Sequence, residues 1–98
     1  MYVRVWEYEV IDDAVADFVV AYGADGDWAQ LFARGDGYVG TELYQNARAK
    51  TLFLTIDTWH SQSDWRAFLD EWRGQYEALD YRLRGLTTWE RALVEATR

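Results

Sequence analysis

The sequence predicts an α+β fold with the element order β-α-β-β-α-β and a single antiparallel sheet. Three stretches support this prediction: residues 2–10 alternate as a strand does, residues 37–61 have the pattern of a β-hairpin, and residues 62–86 repeat apolar side chains at helical spacing. The chain of 98 residues has no proline and no linker-like composition, which favours one domain over residues 1–98. A core this small leaves little stability to spare, so a partner subunit would help.

The first strand, residues 2–10, carries β-branched and aromatic side chains in alternation. Because successive side chains of a strand point to opposite faces, Val3 and Val5 share one face. The other face carries a set of mostly larger side chains: Tyr2, Arg4, Trp6, Tyr8 and Val10.

Two helices are predicted before the hairpin. The first runs from about residue 13 to 22, where apolar positions follow the three-four spacing. Asp12 or Asp13 is expected to cap its start, and Gly23 to end it in the left-handed conformation. A shorter helix is predicted around Trp28, where three apolar residues recur at one-turn spacing.

The hairpin is predicted to turn at residues 46–49, which pairs Leu43 with Leu52 and Thr41 with Leu54. In this register the aliphatic side chains share the face that packs against the helices. The opposite face then carries aromatic rings and two acids: Tyr38, Glu42, Tyr44, Phe53, Thr55, Asp57 and Trp59. We expect a second molecule to cover that face.

The last third of the chain is predicted to hold a long helix and a strand. Ser61, with Asp64 three residues later, forms a capping-box-like start to the helix. The C-terminal segment leaves two alternatives open. Thr87 and Glu90 also have capping-box spacing, which favours a helix, whereas a sheet of this type needs a fourth strand at about residues 89–96. We predict the strand, and with it a ferredoxin-like fold.

Composition excludes several classes of partner. With 17 acidic and 10 basic side chains the formal charge is -7, so a nucleic-acid backbone would be repelled. No apolar run is long enough to span a membrane, and the start of the chain has no signal-peptide pattern. There is no cysteine and only one histidine, so no metal site is predicted. We expect a soluble cytoplasmic protein.

Four segments carry a resemblance to a known family: FVVAYGADGDWAQLF, GYVGTELY, LTIDTWHSQSDWRAF and YEALD. Together they resemble the antibiotic biosynthesis monooxygenase family of dimeric α/β barrels over nearly the whole chain. The resemblance implies a homodimer whose two sheets pack face to face, with a cleft between sheet and helices in each subunit. It also implies oxygenation of an electron-rich aromatic molecule without metal or flavin, or else degradation of haem.

The haem-degrading branch of the family uses an asparagine, a tryptophan and a histidine ligand at three positions. In this sequence those places correspond to Tyr8, Phe68 and the neighbourhood of Tyr76, none of which keeps the chemical role. No haem and no other cofactor is therefore expected.

The candidate site lies on the ring-bearing face of the sheet. Asp57 or Glu42 is the candidate base, with a pKa raised by burial, and Arg4 or a tyrosine hydroxyl is the candidate group that holds an anion. The candidate substrate-binding residues are the rings of that face, the ring of the short helix and the only histidine: Trp6, Tyr8, Trp28, Tyr44, Phe53, Trp59 and His60. A small aromatic or polyketide-type molecule is the expected ligand.

A structural role for the same residues is the alternative. A buried carboxylate is costly unless it is paired, and Arg4 is the natural partner for Glu42 or Asp57. Under this alternative the chain is a non-catalytic small-molecule-binding or structural homodimer, and its rings and acids seal two sheets together.

Overall fold

The computed structural model describes residues 1–98 and contains four strands and three helices. In chain order these are β1 (Tyr2–Val10), α1 (Val15–Tyr22), α2 (Asp27–Phe32), β2 (Tyr38–Gln45), β3 (Leu52–Trp59), α3 (Gln62–Leu83) and β4 (Thr87–Thr97). The predicted α+β, ferredoxin-like fold is confirmed, and the C-terminal segment is a strand. No helix has the length and apolarity needed to cross a bilayer.

The strands form one sheet in the order β2-β3-β1-β4, and all neighbouring strands are antiparallel. The helices cover only one face, which we call the inner face; the other is the outer face. In β3 the residues of the inner face are buried, and they are Phe53, Thr55, Asp57 and Trp59. The aromatic face of the sheet is therefore the one that meets the helices.

The predicted orientation of the hairpin is wrong for β3. Leu52 and Leu54 are only partly buried and stay outside the core, whereas Leu43 does pack against it. The physical reason is area: large rings remove more apolar surface from water than aliphatic side chains do, so their face is the one that the helices cover.

The predicted pairing of β2 with β3 is also wrong, by three residues. Thr41 lies opposite Asp57, not Leu54, and a bulge at Val39 separates the pairs made by Tyr38 and Gly40. The bulge changes the parity within β2, so that both Tyr38 and Thr41 reach the inner face. Glu42 and Tyr44 keep the parity of the outer face.

The core is a continuous stack of aromatic rings. At one end the rings of Phe18 and Tyr22 from α1 are stacked 4.2 Å apart, and Phe18 lies 5.0 Å from Phe53 of β3. At the other end Trp59 is fully buried, 5.2 Å from Phe68 of α3. These contacts fix α1 and α3 on the inner face of the sheet.

The three predicted helix ends differ in outcome. The start of α3 is confirmed, because the Ser61 hydroxyl accepts a hydrogen bond from the backbone N–H of Asp64 at 3.1 Å. The caps of α1 are wrong: Asp12 and Asp13 lie in a 3-10 turn ahead of the helix and neither caps it. Gly23 has a φ of -73°, so it leaves the helix in extended backbone rather than in the left-handed region.

Apolar side chains remain uncovered on the outer face of this single chain. Ile56 of β3 lies beside Val5 of β1, which in turn lies beside Val94 of β4. Leu52, Leu54 and Val3 belong to the same face by strand parity. None of them joins the core, and Val94 is 45% exposed.

We predict that Gly26→Ala destabilises the fold, because a Cβ at this position would lie 2.5 Å from the carbonyl oxygen of Ala21. Backbone overpacking of this kind costs about 1–3 kcal/mol. Gly74→Ala is the matched control: beyond the helix's own backbone no atom lies within 4 Å of its added Cβ, and replacing glycine within a helix by alanine stabilises by about 0.5–1 kcal/mol. Urea unfolding followed by circular dichroism measures both changes, and equal stability of the two variants would contradict the close approach at Gly26.

Candidate functional site

A pocket opens between the inner face of the sheet and the helices. It contains about 500 Å³ of space not filled by atoms, part of it open to solvent. Its walls come from all seven helices and strands of the chain, and the lining residues are Arg4, Trp6, Tyr8, Tyr22, Trp28, Phe32, Thr41, Thr55, Asp57, Trp65, Tyr76, Asp80 and Glu90. Seven of these side chains are aromatic, so the pocket suits a flat apolar ligand.

The pocket is a narrow slot. Little of its space is wide enough for a water molecule, so its walls lie close together. A ring therefore enters only between closely spaced walls, where it makes contacts on both faces.

Asp57 lies on the sheet side of the slot and is only 9% exposed. Its Oδ1 accepts a hydrogen bond from the Thr41 hydroxyl at 2.6 Å. The Thr41 oxygen also lies 2.6 Å from the Tyr38 hydroxyl. Because the Thr41 hydroxyl already donates its hydrogen bond to Asp57, Tyr38 is the donor in this second bond. The Oδ2 atom of Asp57 makes no hydrogen bond within the chain.

Burial raises the pKa of Asp57 from 3.8 to about 6. The hydrogen bond from Thr41 and the positive charge of Arg4 act in the opposite direction and limit the rise in pKa. Asp57 is therefore a carboxyl group that is mostly ionised at pH 7 and still takes up a proton readily, as a general base requires.

Arg4 lies beside Asp57 across the β1–β3 ladder but is paired with another acid. Its guanidinium group forms an ion pair with Glu95 of β4, donates to the Tyr2 hydroxyl at 3.2 Å, and stacks 4.2 Å from the ring centroid of Trp65. The predicted pairing of Arg4 with Glu42 or Asp57 is therefore wrong. Glu95 takes this place because β4 pairs with β1 on the side away from β3.

The pocket brings together five of the predicted site residues. Asp57, Arg4, Trp6 and Tyr8 come from the sheet, and Trp28 comes from α2. The indole N–H of Trp28 is buried and has no acceptor within the chain. Tyr8 is held by a hydrogen bond between its hydroxyl and Thr55 at 3.2 Å.

The other predicted site residues lie outside the pocket. Glu42 and Tyr44 are exposed on the outer face, where the Tyr44 hydroxyl donates to Glu42 at 2.7 Å. Phe53 and Trp59 do face inward, but they are packed into the solid core. His60 is exposed just after β3. The cavity that reaches Asp57 thus does not extend to Trp59.

Sequence reasoning missed eight lining residues: Tyr22, Phe32, Thr41, Thr55, Trp65, Tyr76, Asp80 and Glu90. Burial raises the pKa of the Tyr22 and Tyr76 hydroxyl groups, so both are neutral donors, and the indole N–H of Trp28 beside the Tyr22 hydroxyl limits the rise in pKa there. The signal for Trp65 and Tyr76 was their helical spacing, which also fits plain core packing.

Two further acids, Asp80 of α3 and Glu90 of β4, line the pocket from the helical layer and from the sheet. Burial raises the pKa of Glu90, and the negative charge of Asp80 adds to the rise. Neither acid takes part in any of the four ion pairs of the chain. No three His, Cys, Asp or Glu side chains are grouped closely enough to hold a metal ion.

Comparison with known proteins gives matches in structure only. No protein-family model and no curated protein sequence matches this chain. A mutant of SnoaB, a cofactor-independent oxygenase from Streptomyces nogalater, superposes with a TM-score of 0.77 at 20% identity, covering 99% of this chain and 94% of that one.

Two proteins described as antibiotic biosynthesis monooxygenases are similar in the same way. The one from Nitrosomonas europaea has a TM-score of 0.71 at 16% identity and covers 100% of this chain and 98% of its own. The one from Bordetella bronchiseptica has a TM-score of 0.73 at 14% identity, with coverages of 99% and 95%. The chain thus has the fold of the antibiotic biosynthesis monooxygenases, and the predicted resemblance is confirmed at that level.

The pKa of Asp57 is predicted to move in opposite directions in two variants. Thr41→Val removes the hydrogen bond that stabilises the carboxylate, so the pKa should rise above about 6. Glu95→Gln releases Arg4 to turn toward Asp57, so the pKa should fall. Carboxyl carbon shifts in an NMR pH titration measure both values. Thr58→Val, on the outer face of β3, is the control and should leave the pKa unchanged; a constant pKa in Thr41→Val would show that the bond has no influence.

Proposed function

We propose that this chain binds a small aromatic or polyketide-type molecule in the slot beside Asp57 and oxygenates it without metal or flavin. The observation that carries the proposal is Asp57 itself: a buried carboxyl group with a pKa near 6 and an unpaired oxygen, inside a pocket lined by seven rings. The oxygenase SnoaB, whose fold this chain shares, supports the choice of chemistry.

Asp57 acts as the base in this proposal. Thr41 fixes one carboxylate oxygen, which leaves the other free to take a proton from a phenol or from a ring methylene activated by one. Arg4 favours the ionised form through its charge without occupying the free oxygen, because Glu95 holds its guanidinium group.

The substrate anion needs donors, and the pocket offers them. The hydroxyl groups of Tyr22 and Tyr76 and the indole N–H of Trp28 line the slot, and each of them can donate a hydrogen bond to a ligand. Preorganised donors in a site shielded from water stabilise a developing oxyanion strongly. They would hold the enolate or phenolate that forms when Asp57 takes up the proton.

The electrons for oxygen come from the substrate. The carbanion at an activated methylene passes one electron to O2, and the two radicals combine to a peroxide that receives the proton held by Asp57. Loss of water then leaves a carbonyl group, so that CH2 and O2 become C=O and H2O. The chain supplies a base, donors and a dry slot, and no external reductant is consumed.

A non-catalytic small-molecule-binding homodimer is the second candidate function, and the narrowness of the slot favours it. Because little of the pocket is wide enough for a water molecule, it holds a small ring more readily than a polycyclic one. In this case the ligand binds at Asp57 and oxygen is not consumed.

We further propose that a second copy of the chain covers the outer face, as the second sheet of a homodimer. The uncovered residues Val5, Ile56 and Val94 form a row across three strands, and an apolar patch of this kind on a small domain marks an interface. The ion pair of Arg91 with Glu7 at 2.7 Å lies on the same face and adds a polar contact beside the row.

Asp57→Asn is predicted to abolish oxygen uptake with an anthrone-type substrate such as 1,8-dihydroxyanthrone, because the amide cannot take up the proton. The expected loss is at least about 100-fold, the contribution of a positioned base. In the parent chain the rate should rise with pH through about 6, as Asp57 ionises. An oxygen electrode measures the rate, and Glu42→Gln, an acid-to-amide change on the outer face, should retain it.

The stability of Asp57→Asn separates a catalytic from a sealing role. The pKa of Asp57 is higher in the folded chain than its ordinary value of 3.8, so its ionisation lowers stability as the pH rises from about 4 to 6. The variant should thus be more stable than the parent at pH 8, by about 2–3 kcal/mol, and gain little at pH 4. A less stable variant at pH 8 would make Asp57 structural, and binding without oxygen uptake by the parent would favour the second candidate function.

The proposed homodimer is tested by Ile56→Lys, which places a charge in the middle of the apolar row and should yield monomers. Val20→Lys, at a position of α1 that is 70% exposed, is the matched control and should remain dimeric. Light scattering after size exclusion at micromolar concentration gives the mass of each. A monomeric parent chain under these conditions would refute the dimer.

A further inference from the structure

The charges around the slot do not balance. Its lining contains three acids, Asp57, Asp80 and Glu90, and a single cation, Arg4. The guanidinium group of Arg4 is already paired with Glu95, while none of the three acids takes part in an ion pair. An anionic ligand would therefore be repelled, and a cationic one attracted.

The rings of the pocket suit an organic cation as well as a neutral ring. Tryptophan and tyrosine faces attract ammonium groups, and rings from both layers of the fold surround the slot, among them Trp6 of β1 and Tyr76 of α3. Aromatic cages bind methylated ammonium groups in other proteins, and in this slot carboxylates stand beside the rings. Asp57 adds an independent indication of a ligand, because it is nine-tenths buried and keeps one oxygen unpaired.

The spacing of the acids excludes a small metal ion as the expected cation. The three carboxylates are not grouped closely enough to coordinate one ion. Asp80 and Glu90 face the slot from the helical layer and from the sheet, and the charge of Asp80 raises the pKa of Glu90. A positive group placed between them would relieve this repulsion, whereas a ligand without charge would leave it in place.

We propose that the slot selects aromatic molecules that carry a protonated amine, with the amine between Asp80 and Glu90 and the ring beside Asp57. This inference rests on the proposed function, since it presupposes that the slot binds an aromatic molecule. It adds that this molecule carries a positive charge. The hydroxyl group of a phenolic amine then lies at the base, and its ammonium group lies at the two unpaired acids.

The test uses three probes with the same phenol ring and different charge: tyramine, 4-ethylphenol and 3-(4-hydroxyphenyl)propionate. Isothermal titration calorimetry of the parent chain at pH 7.5 and low salt gives the three Kd values. We expect tyramine to bind at least about tenfold more tightly than 4-ethylphenol, a difference of about 1.4 kcal/mol, and the carboxylate to bind most weakly. The preference for tyramine should shrink as salt is added.

Variants locate the amine site. Glu90→Gln and Asp80→Asn should each reduce the ratio of the two Kd values to below about threefold. Glu71→Gln is the matched control: it removes the same charge from α3 at an exposed position outside the pocket, and it should keep the ratio of the parent.

Each outcome is decisive. Equal Kd values for all three probes would overturn the amine preference and leave the proposed binding of aromatic molecules intact. Binding of none of the probes would overturn both proposals. A preference that persists in the double variant of Asp80 and Glu90 would refute the placement of the amine between them.

Discussion

The burial of aromatic rings on one face of the sheet is the constraint on which the rest of this structure depends. A strand sends alternate side chains to opposite faces, so burying Tyr8 and Trp6 of β1 also brings Arg4 to the inner face. In β3 the burial of Phe53 and Trp59 brings Asp57 inward in the same way. Arg4 and Asp57 thus reach the centre of the site because their neighbours in the strands are buried. The β1–β3 ladder sets these two residues side by side.

Strand parity brings the charges of Arg4 and Asp57 to the inner face, and neighbouring groups compensate these two charges to different extents. Arg4 is compensated by Glu95 and by the Trp65 ring, so its charge costs little. Asp57 receives one hydrogen bond from Thr41 and keeps an elevated pKa. If the two charges served only to seal the interior, a direct ion pair between Arg4 and Asp57 would lower the free-energy cost of burying them. Because Arg4 pairs with Glu95, Asp57 is left without an ion pair and with a raised pKa.

The sequence was informative about elements and uninformative about which face they bury. Spacing predicted the element order and the Ser61 cap correctly, because both depend on local pattern. Alternation shows which residues of β3 share a face, but it gives the same pattern whichever face meets the helices. The turn predicted at residues 46–49 places Glu42 on the face of Asp57, whereas Gln45 in fact lies opposite Phe53; this odd shift of three residues exchanges the two faces of β2, and no residue type marks the longer turn. Glu95 and Glu90 enter the site only through the pairing of β4 with β1, a contact between the two ends of the chain.

The two walls of the slot differ in how firmly they are held. The sheet wall, with Asp57, is fixed by hydrogen-bonded ladders on both sides of β3. The opposite wall includes Trp65 and Tyr76 of α3, whose ring centroids are 5.9 Å apart. The backbone of α3 leaves helical geometry at Trp72, between these two residues, with φ -113° and ψ 20°. A change in that bend moves Tyr76 relative to Trp65 without breaking any strand pairing. The width of the slot is therefore set by the helix, so a ligand larger than the present slot must act on α3.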